Sequence, residues 1–303
     1  MTHDPQPSAS GVASPAVTPP AGGVRAGSAA GLVTRTRAIG RLAASAALAP
    51  VYRAYAARLR GEVLSRPVPQ HVALIMDGNR RWARELGLHE IRAGHGHGAD
   101  KAVELLDWCA SLGIREVTLW ALSLENLERS PEEVAAITEI ARETLEALAE
   151  RDRVRRMEMS LQVIGRRDLL PERLREAAER GEAETRGRPG LRVTLALGYS
   201  GRDELVEAAR AAIRALVADG TPPEGLADAL TADRLADQLY TAGSSDPDLI
   251  IRTSGEVRLS GFLPWQSAYS EYYFCDAYWP AFREIDLLRA VRTYQQRARR
   301  FGR

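Results

Sequence analysis

Long apolar runs are missing from this chain. No stretch of about 18 apolar residues occurs, so no segment reads as a membrane-spanning helix. Cysteine is scarce: Cys109 and Cys275 stand alone and far apart, which excludes a disulfide framework and a thiolate metal centre. Lysine is nearly absent. Lys101 is the only one, and the chain-wide use of arginine means that Arg over Lys at any one position carries no information. Surplus charge is missing too. A net charge of +1 lacks the broad basic excess of a nucleic-acid-binding protein, so any anion site must be local. Met1 is followed by His3, Asp4 and several prolines where a secretory signal needs an apolar core, and the expected setting is a reduced cytoplasm.

Hydrophobic residues make up 45% of the sequence, enough for a sizeable core. Residues 1–35 are rich in Ala, Pro, Gly, Ser and Thr and lack large apolar residues at either regular period, which predicts a disordered tail. Residues 36–66 change character. Leu42, Val51, Tyr52, Tyr55, Leu59 and Val63 lie among Arg37, Arg41, Arg53, Arg58 and Arg60, the pattern of a basic amphipathic helix. Such a helix packs on a domain through its apolar face, or touches an anionic membrane surface peripherally through residues 36–64.

Residues 67–303 alternate short apolar runs with longer helical patterns. Strands are predicted at residues 71–76, 116–122, 160–164, 192–197, 248–251 and 271–275. Helices are predicted from Asn79 and from Ala99, and over residues 131–156, 201–217 and 284–299. Ser130-Pro131-Glu132-Glu133 supplies an N-cap, a proline and first-turn acids. The fold class is α/β, a single domain with a mostly parallel central sheet covered by helices.

Polar residues follow the strands directly. Asp77-Gly78-Asn79-Arg80-Arg81-Trp82 follows the first, Ser123, Glu125, Asn126 and Arg129 the second, and Arg252-Thr253-Ser254-Gly255-Glu256 the fifth. In an open α/β sheet the carboxyl ends of the strands face one crevice, where ligands bind. An aspartate there can hold a metal, act as a nucleophile or cap a helix. Gly78 lets backbone approach a ligand, and helix N–H groups with Arg80 and Arg81 suit a diphosphate. Gly94-His95-Gly96-His97-Gly98, preceded by Arg92, reads as a tight loop entering a helix; His95 there contacts an anion, serves as an ordinary loop residue, or takes part in a metal pair. Asn126 is a poor general base, because its amide holds no proton near neutrality. Glu125 can simply cap the next segment. Arg252, Arg258 and Ser260 can cradle a second diphosphate, or form surface ion pairs. Glu271 opens an apolar strand, a costly place for an unpaired carboxylate. Asp77 and Glu271 together can hold Mg2+, which takes oxygen ligands and shares its shell with phosphates.

With these residues in view, the sequence resembles the cis-prenyltransferase family of undecaprenyl diphosphate synthases and shorter-chain Z-isoprenyl diphosphate synthases. The stretches that carry the resemblance are residues 71–82, Ser123-Leu124-Glu125-Asn126 with Arg129, residues 248–256, Arg258-Leu259-Ser260, residues 265–274 and the terminal Arg300-Phe301-Gly302. Leu127 and Leu122 stand where many members carry Trp and Phe. The aspartate-rich Asp-Asp-x-x-Asp motif of the all-helical trans-prenyl synthases is absent.

The resemblance implies that residues 67–303 are the catalytic domain of a Mg2+-dependent homodimer. It would condense isopentenyl diphosphate with an allylic diphosphate (geranyl or farnesyl) to a Z-configured product, short-chain favoured over undecaprenyl or decaprenyl. It implies that Asp77 and Glu271 serve the metal, from one subunit or two. Gly78, Asn79, Arg80, Arg81 and Trp82, with Arg92 and His95, would meet the allylic diphosphate. Arg252, Arg258, Leu259 and Ser260 would meet isopentenyl diphosphate. Ser123 and Asn126 would take part in condensation and proton removal, with Leu124, Glu125 and Arg129 beside them. Arg300 would reach the neighbouring subunit's site. Other readings of the same loops are an aspartate-dependent phosphohydrolase, although Asn79 stands where many such enzymes place a second aspartate, and a non-catalytic partner subunit.

Overall fold

The computed structural model describes residues 50–87, 91–150 and 156–297, with only the backbone given for residues 91–99 and 150. The predicted tail at 1–35, residues 36–49 of the basic segment, the side chains of Arg92 and His95, and Arg300 lie outside the described residues.

Six parallel strands form one sheet in the order β3-β4-β2-β1-β5-β6. They are β1 (His71–Ile75), β2 (Glu116–Ser123), β3 (Ser160–Ile164), β4 (Arg192–Tyr199), β5 (Leu249–Arg252) and β6 (Glu271–Phe274). Each lies within two residues of its predicted position. β1 is central and buried along its whole length, as the unbroken run His-Val-Ala-Leu-Ile predicts for a parallel strand covered on both faces. Val72 and Leu74 point into one core cluster, Ala73 and Ile75 into the other.

The helices are α1 (residues 50–64), α2 (Asn79–Glu85), α3 (Ile91–Leu112), α4 (Pro131–Glu150), α5 (Glu172–Thr185), α6 (Gly201–Ala218), the short α7 (Leu226–Ala229) and α8 (Ala232–Ala236), and α9 (Glu284–Gln296). From Ala54 onward α1 turns its apolar side inward: Leu59 and Val63, one turn apart, are buried in the larger core cluster. Arg60 pairs with Glu284, and the Gln295 amide donates to the Val63 carbonyl at 2.9 Å. Tyr55 and Leu64 of the same stretch stay exposed. No helix among the described residues is long and apolar enough to cross a membrane. At the start of α4 the Glu133 amide donates to the Ser130 hydroxyl at 3.4 Å, the cap expected there.

One expectation is corrected. Gly94–Gly98 is not a loop, because helical backbone runs unbroken from Ile91 to Leu112. Glycine within a helix is unfavourable by about 1 kcal/mol relative to alanine, which the buried stripe Ala102, Val103, Leu105, Leu106 and Cys109 outweighs. In β2 the pairing with β4 slips around Ala121. Trp120 belongs to one core cluster and Leu122, two residues on, to the other, so a bulge reverses the alternation there.

Candidate active site

The site grows from the carboxyl ends of β1, β2 and β5. Thr253 fastens two of them together: its hydroxyl accepts from the Asp77 amide at 2.9 Å and lies 2.7 Å from the Asp77 carbonyl. The Trp279 amide donates to that same carbonyl at 3.0 Å. The backbone at Asp77 is therefore fixed from three sides, and its carboxylate projects from a rigid support.

Asp77 Oδ2 accepts from Arg252 Nη2 at 2.9 Å and lies 3.5 Å from Arg81 Nη2. Burial pushes the pKa of this carboxyl up, but the bond and charge of Arg252, with the Ser254 hydroxyl and the Gly78 amide, outweigh it and hold the group below the ordinary carboxylate range. Asp77 is ionised at neutral pH. Arg252, almost wholly buried, also donates to Ser260 Oγ at 2.8 Å and to the Arg258 carbonyl. Arg252 is thus the hub joining β1 to the 258–260 turn.

Gly78 turns the chain into α2 with φ 102°, and a Cβ there would sit 2.6 Å from the Tyr278 ring and 3.0 Å from the Ser254 Cβ. Only glycine meets both conditions. α2 then presents Arg80, Arg81 and Arg84 to the cleft, while Asn79 is tied through its amide to the Met76 carbonyl at 3.3 Å.

At the end of β2, Ser123 caps a tight turn over Leu124–Glu128 in a reciprocal arrangement. The Asn126 amide nitrogen of the backbone donates to Ser123 Oγ at 3.3 Å, and the Ser123 backbone donates to Asn126 Oδ1 at 3.1 Å. Ser123, rather than Glu125, is therefore the capping residue. Since Asn126 Oδ1 is already an acceptor in the cap, its Nδ2 amide is the part left for a ligand. Glu133 gathers Arg80 at 3.0 Å and Arg129 at 3.8 Å.

These groups line one cleft of about 500 Å³. Asp77, Gly78, Asn79, Arg80, Arg81, Ser123, Asn126, Arg129, Arg252, Arg258 and Ser260, all singled out by sequence, border it together. Trp82, Leu124, Glu125 and Leu259 do not, and Glu125 is exposed. Glu271 is elsewhere. It pairs in register with Leu249 at the amino end of β5 and β6, three residues before Arg252, about 10 Å along the strand. Its carboxylate meets Arg297 at 2.6 Å. Within one chain Asp77 and Glu271 therefore do not share a metal.

Sequence reasoning missed Arg84, although it lies one turn beyond Arg80 on the same short helix. An apolar lining near Ala121 and along residues 131–156 is what the sequence leads one to expect, and Ala121 and Ile137 do border the cleft; Ile75 and Trp120, which join them there, were not anticipated. The cleft thus brings cationic side chains and apolar ones into one lining, as a ligand with an anionic head and a hydrocarbon tail requires.

The family model described as undecaprenyl diphosphate synthase matches residues 75–302. An isoprenyl transferase of Thermus thermophilus is 48% identical over 254 residues, 84% of this chain and 96% of that protein. A (2Z,6E)-farnesyl diphosphate synthase of Thermobifida fusca is 49% identical over 253 residues, 84% of this chain and 97% of that protein. The fold is similar to the crystal structure of lavandulyl diphosphate synthase from Lavandula x intermedia in complex with dimethylallyl diphosphate, with TM-score 0.70 and 34% identity over 80% of this chain and all of that one. From residue 75 onward, through the cleft and the strands that build it, the chain belongs to the undecaprenyl diphosphate synthase family of cis-prenyltransferases.

Proposed function

We propose that this protein condenses isopentenyl diphosphate with geranyl or farnesyl diphosphate and releases a Z-configured prenyl diphosphate. The observation that carries the reading is the mixed lining of one cleft: arginines and Asp77 together with Ile75, Trp120, Ala121, Leu122 and Ile137.

Arg80, Arg81 and Arg84 hold the allylic diphosphate beside Gly78, with its hydrocarbon toward Ala121 and Ile137. Arg258 and Ser260 hold isopentenyl diphosphate, and Arg252 keeps both aligned with Asp77. As the allylic carbon–oxygen bond breaks, negative charge develops on the departing diphosphate, and fixed cationic groups stabilise it without rearranging. The isopentenyl double bond attacks the allylic carbon, and a proton leaves the new chain. Asn126 has its carbonyl oxygen committed to the cap, so its Nδ2 donates to substrate oxygen, and a diphosphate oxygen takes the proton.

The donor set suits Mg2+. Among the described residues no three acidic, histidine or cysteine side chains gather as a metal site, and Asp77 is the carboxylate that borders the cleft. Mg2+ is commonly held by one or two carboxylates together with substrate phosphates. When bound it neutralises charge on the diphosphates. Glu271, distant within its own chain, serves the site of a second copy in a homodimer.

The short product is favoured by the 49% identity to a (2Z,6E)-farnesyl diphosphate synthase. The long-chain alternative draws on the small side chain of Ala121 in the apolar lining. Chromatography of products made from labelled isopentenyl diphosphate with each starter decides between them. A fifteen-carbon chain is expected from the geranyl starter, with loss of product on chelating Mg2+ and a shorter product from Ala121→Leu if longer chains form. Phosphate release without chain growth would overturn the proposal in favour of hydrolysis.

A further inference from the structure

Glu256, like Asp77, joins an arginine of α2 to one at or beyond the end of β5, but it does so from outside the cleft. Its Oε1 lies 3.1 Å from Arg81 Nη1, and its Oε2 meets Arg258 Nη1. Arg81 comes from α2 and Arg258 from the turn after β5, and both border the cleft, whereas Glu256 does not. The loop that carries Glu256 is held in a strained form. The strain lies at Ser254, with φ 81°; Gly255 follows at φ 74°, open to glycine, and their amides are pinned to the Ala277 and Cys275 carbonyls at 2.8 and 2.9 Å. Ser254 Oγ also accepts from Arg81 Nη2 at 2.8 Å. Strain of this kind persists only where the surroundings enforce it.

We infer that Glu256 is a positioning residue that holds Arg81 and Arg258 in register without ligand and gives way to diphosphate. The inference rests on the proposed function, since it assigns the displaced contacts to the two substrates. A guanidinium grips a diphosphate through paired N–H groups, and the higher charge of the ligand makes it the stronger acceptor than a single carboxylate. The pairs with Glu256 are solvent-accessible, and exposed ion pairs contribute little, so exchange is inexpensive. Because one carboxylate serves both arginines, freeing it from one substrate subsite loosens it at the other. Its return after reaction helps to expel pyrophosphate. Glu256 thereby trades tight binding for turnover.

The test is titration of the full-length wild-type and Glu256→Gln proteins with inorganic pyrophosphate, followed by steady-state kinetics. Removing the competing charge is expected to tighten pyrophosphate by about three- to fivefold, the scale of one or two exposed ion pairs. KM for isopentenyl diphosphate and kcat should fall together, a split that loss of structure would not produce. Pyrophosphate binding that is unchanged or weaker in Glu256→Gln would overturn the inference, because Glu256 would then only orient the arginines. Should the wild-type protein neither bind pyrophosphate nor extend a chain, the proposed function itself would fall.

Discussion

Gly78 concentrates the residue-scale constraints, because it must turn left-handed, lie against Tyr278 and deliver Asp77 to the cleft at once. Gly78→Ala is expected to destabilise the protein by about 1–3 kcal/mol through strain and contact with the Tyr278 ring. A lowered thermal midpoint shows this; an unchanged midpoint would mean that the close approach is not real. Individual residues were legible where chemistry follows a strand: Asp77, Ser123, Asn126 and Arg252 all border the cleft. What sequence could not show is how polar atoms divide among partners. The commitment of Asn126 Oδ1 to the cap and the double pairing of Glu256 depend on turn geometry and side-chain direction. Glu271 was legible as an unusual carboxylate, but its register opposite Leu249 places it away from Asp77 in its own chain.

At the scale of elements, β2 shows the limit of periodicity. Its apolar run predicts a strand, yet no pattern announces the bulge that sends Trp120 and Leu122 to opposite faces. Glycines at 94, 96 and 98 suggested a loop, and the apolar stripe further along α3 overrode them. α6 is fixed by a buried acid in its first turn. Glu204 accepts from the Tyr199 hydroxyl at 2.6 Å, the Tyr240 amide at 3.0 Å and the Gln266 amide at 3.2 Å. The Tyr199 oxygen in turn accepts from the Leu263 amide at 3.2 Å, so this network supports the loop that carries Arg258 and Ser260. Burial pushes the Glu204 carboxyl above its ordinary value despite those three bonds. The folded state therefore binds its proton more tightly than the unfolded state, and the contribution of Glu204 to stability declines as pH rises through the folded value. Against Glu204→Gln, which does not titrate, the wild-type thermal midpoint should lose ground from mildly acidic to neutral pH. A difference that is flat across that range would contradict a raised pKa.

For the whole molecule, alternation of apolar runs with helical periods predicted a parallel α/β sheet, and convergence of the strand-end loops predicted one anion-binding crevice. Both follow from physics that acts on every such chain: parallel strands need crossovers, and crossovers leave the loops on one edge. A second subunit is a different matter, since nothing in a single chain's periodicity encodes what meets its surface. The central claim is that Asp77 anchors the condensing centre and that Glu271 serves it from a partner. Incorporation of labelled isopentenyl diphosphate by Asp77→Asn, by Glu271→Gln and by the two mixed and allowed to exchange subunits tests this most directly. Each variant alone should lose activity by on the order of a hundredfold or more, and the mixture should recover about a quarter of the wild-type rate, because half of the dimers regain one complete site. A wild-type rate from Asp77→Asn alone would contradict the account.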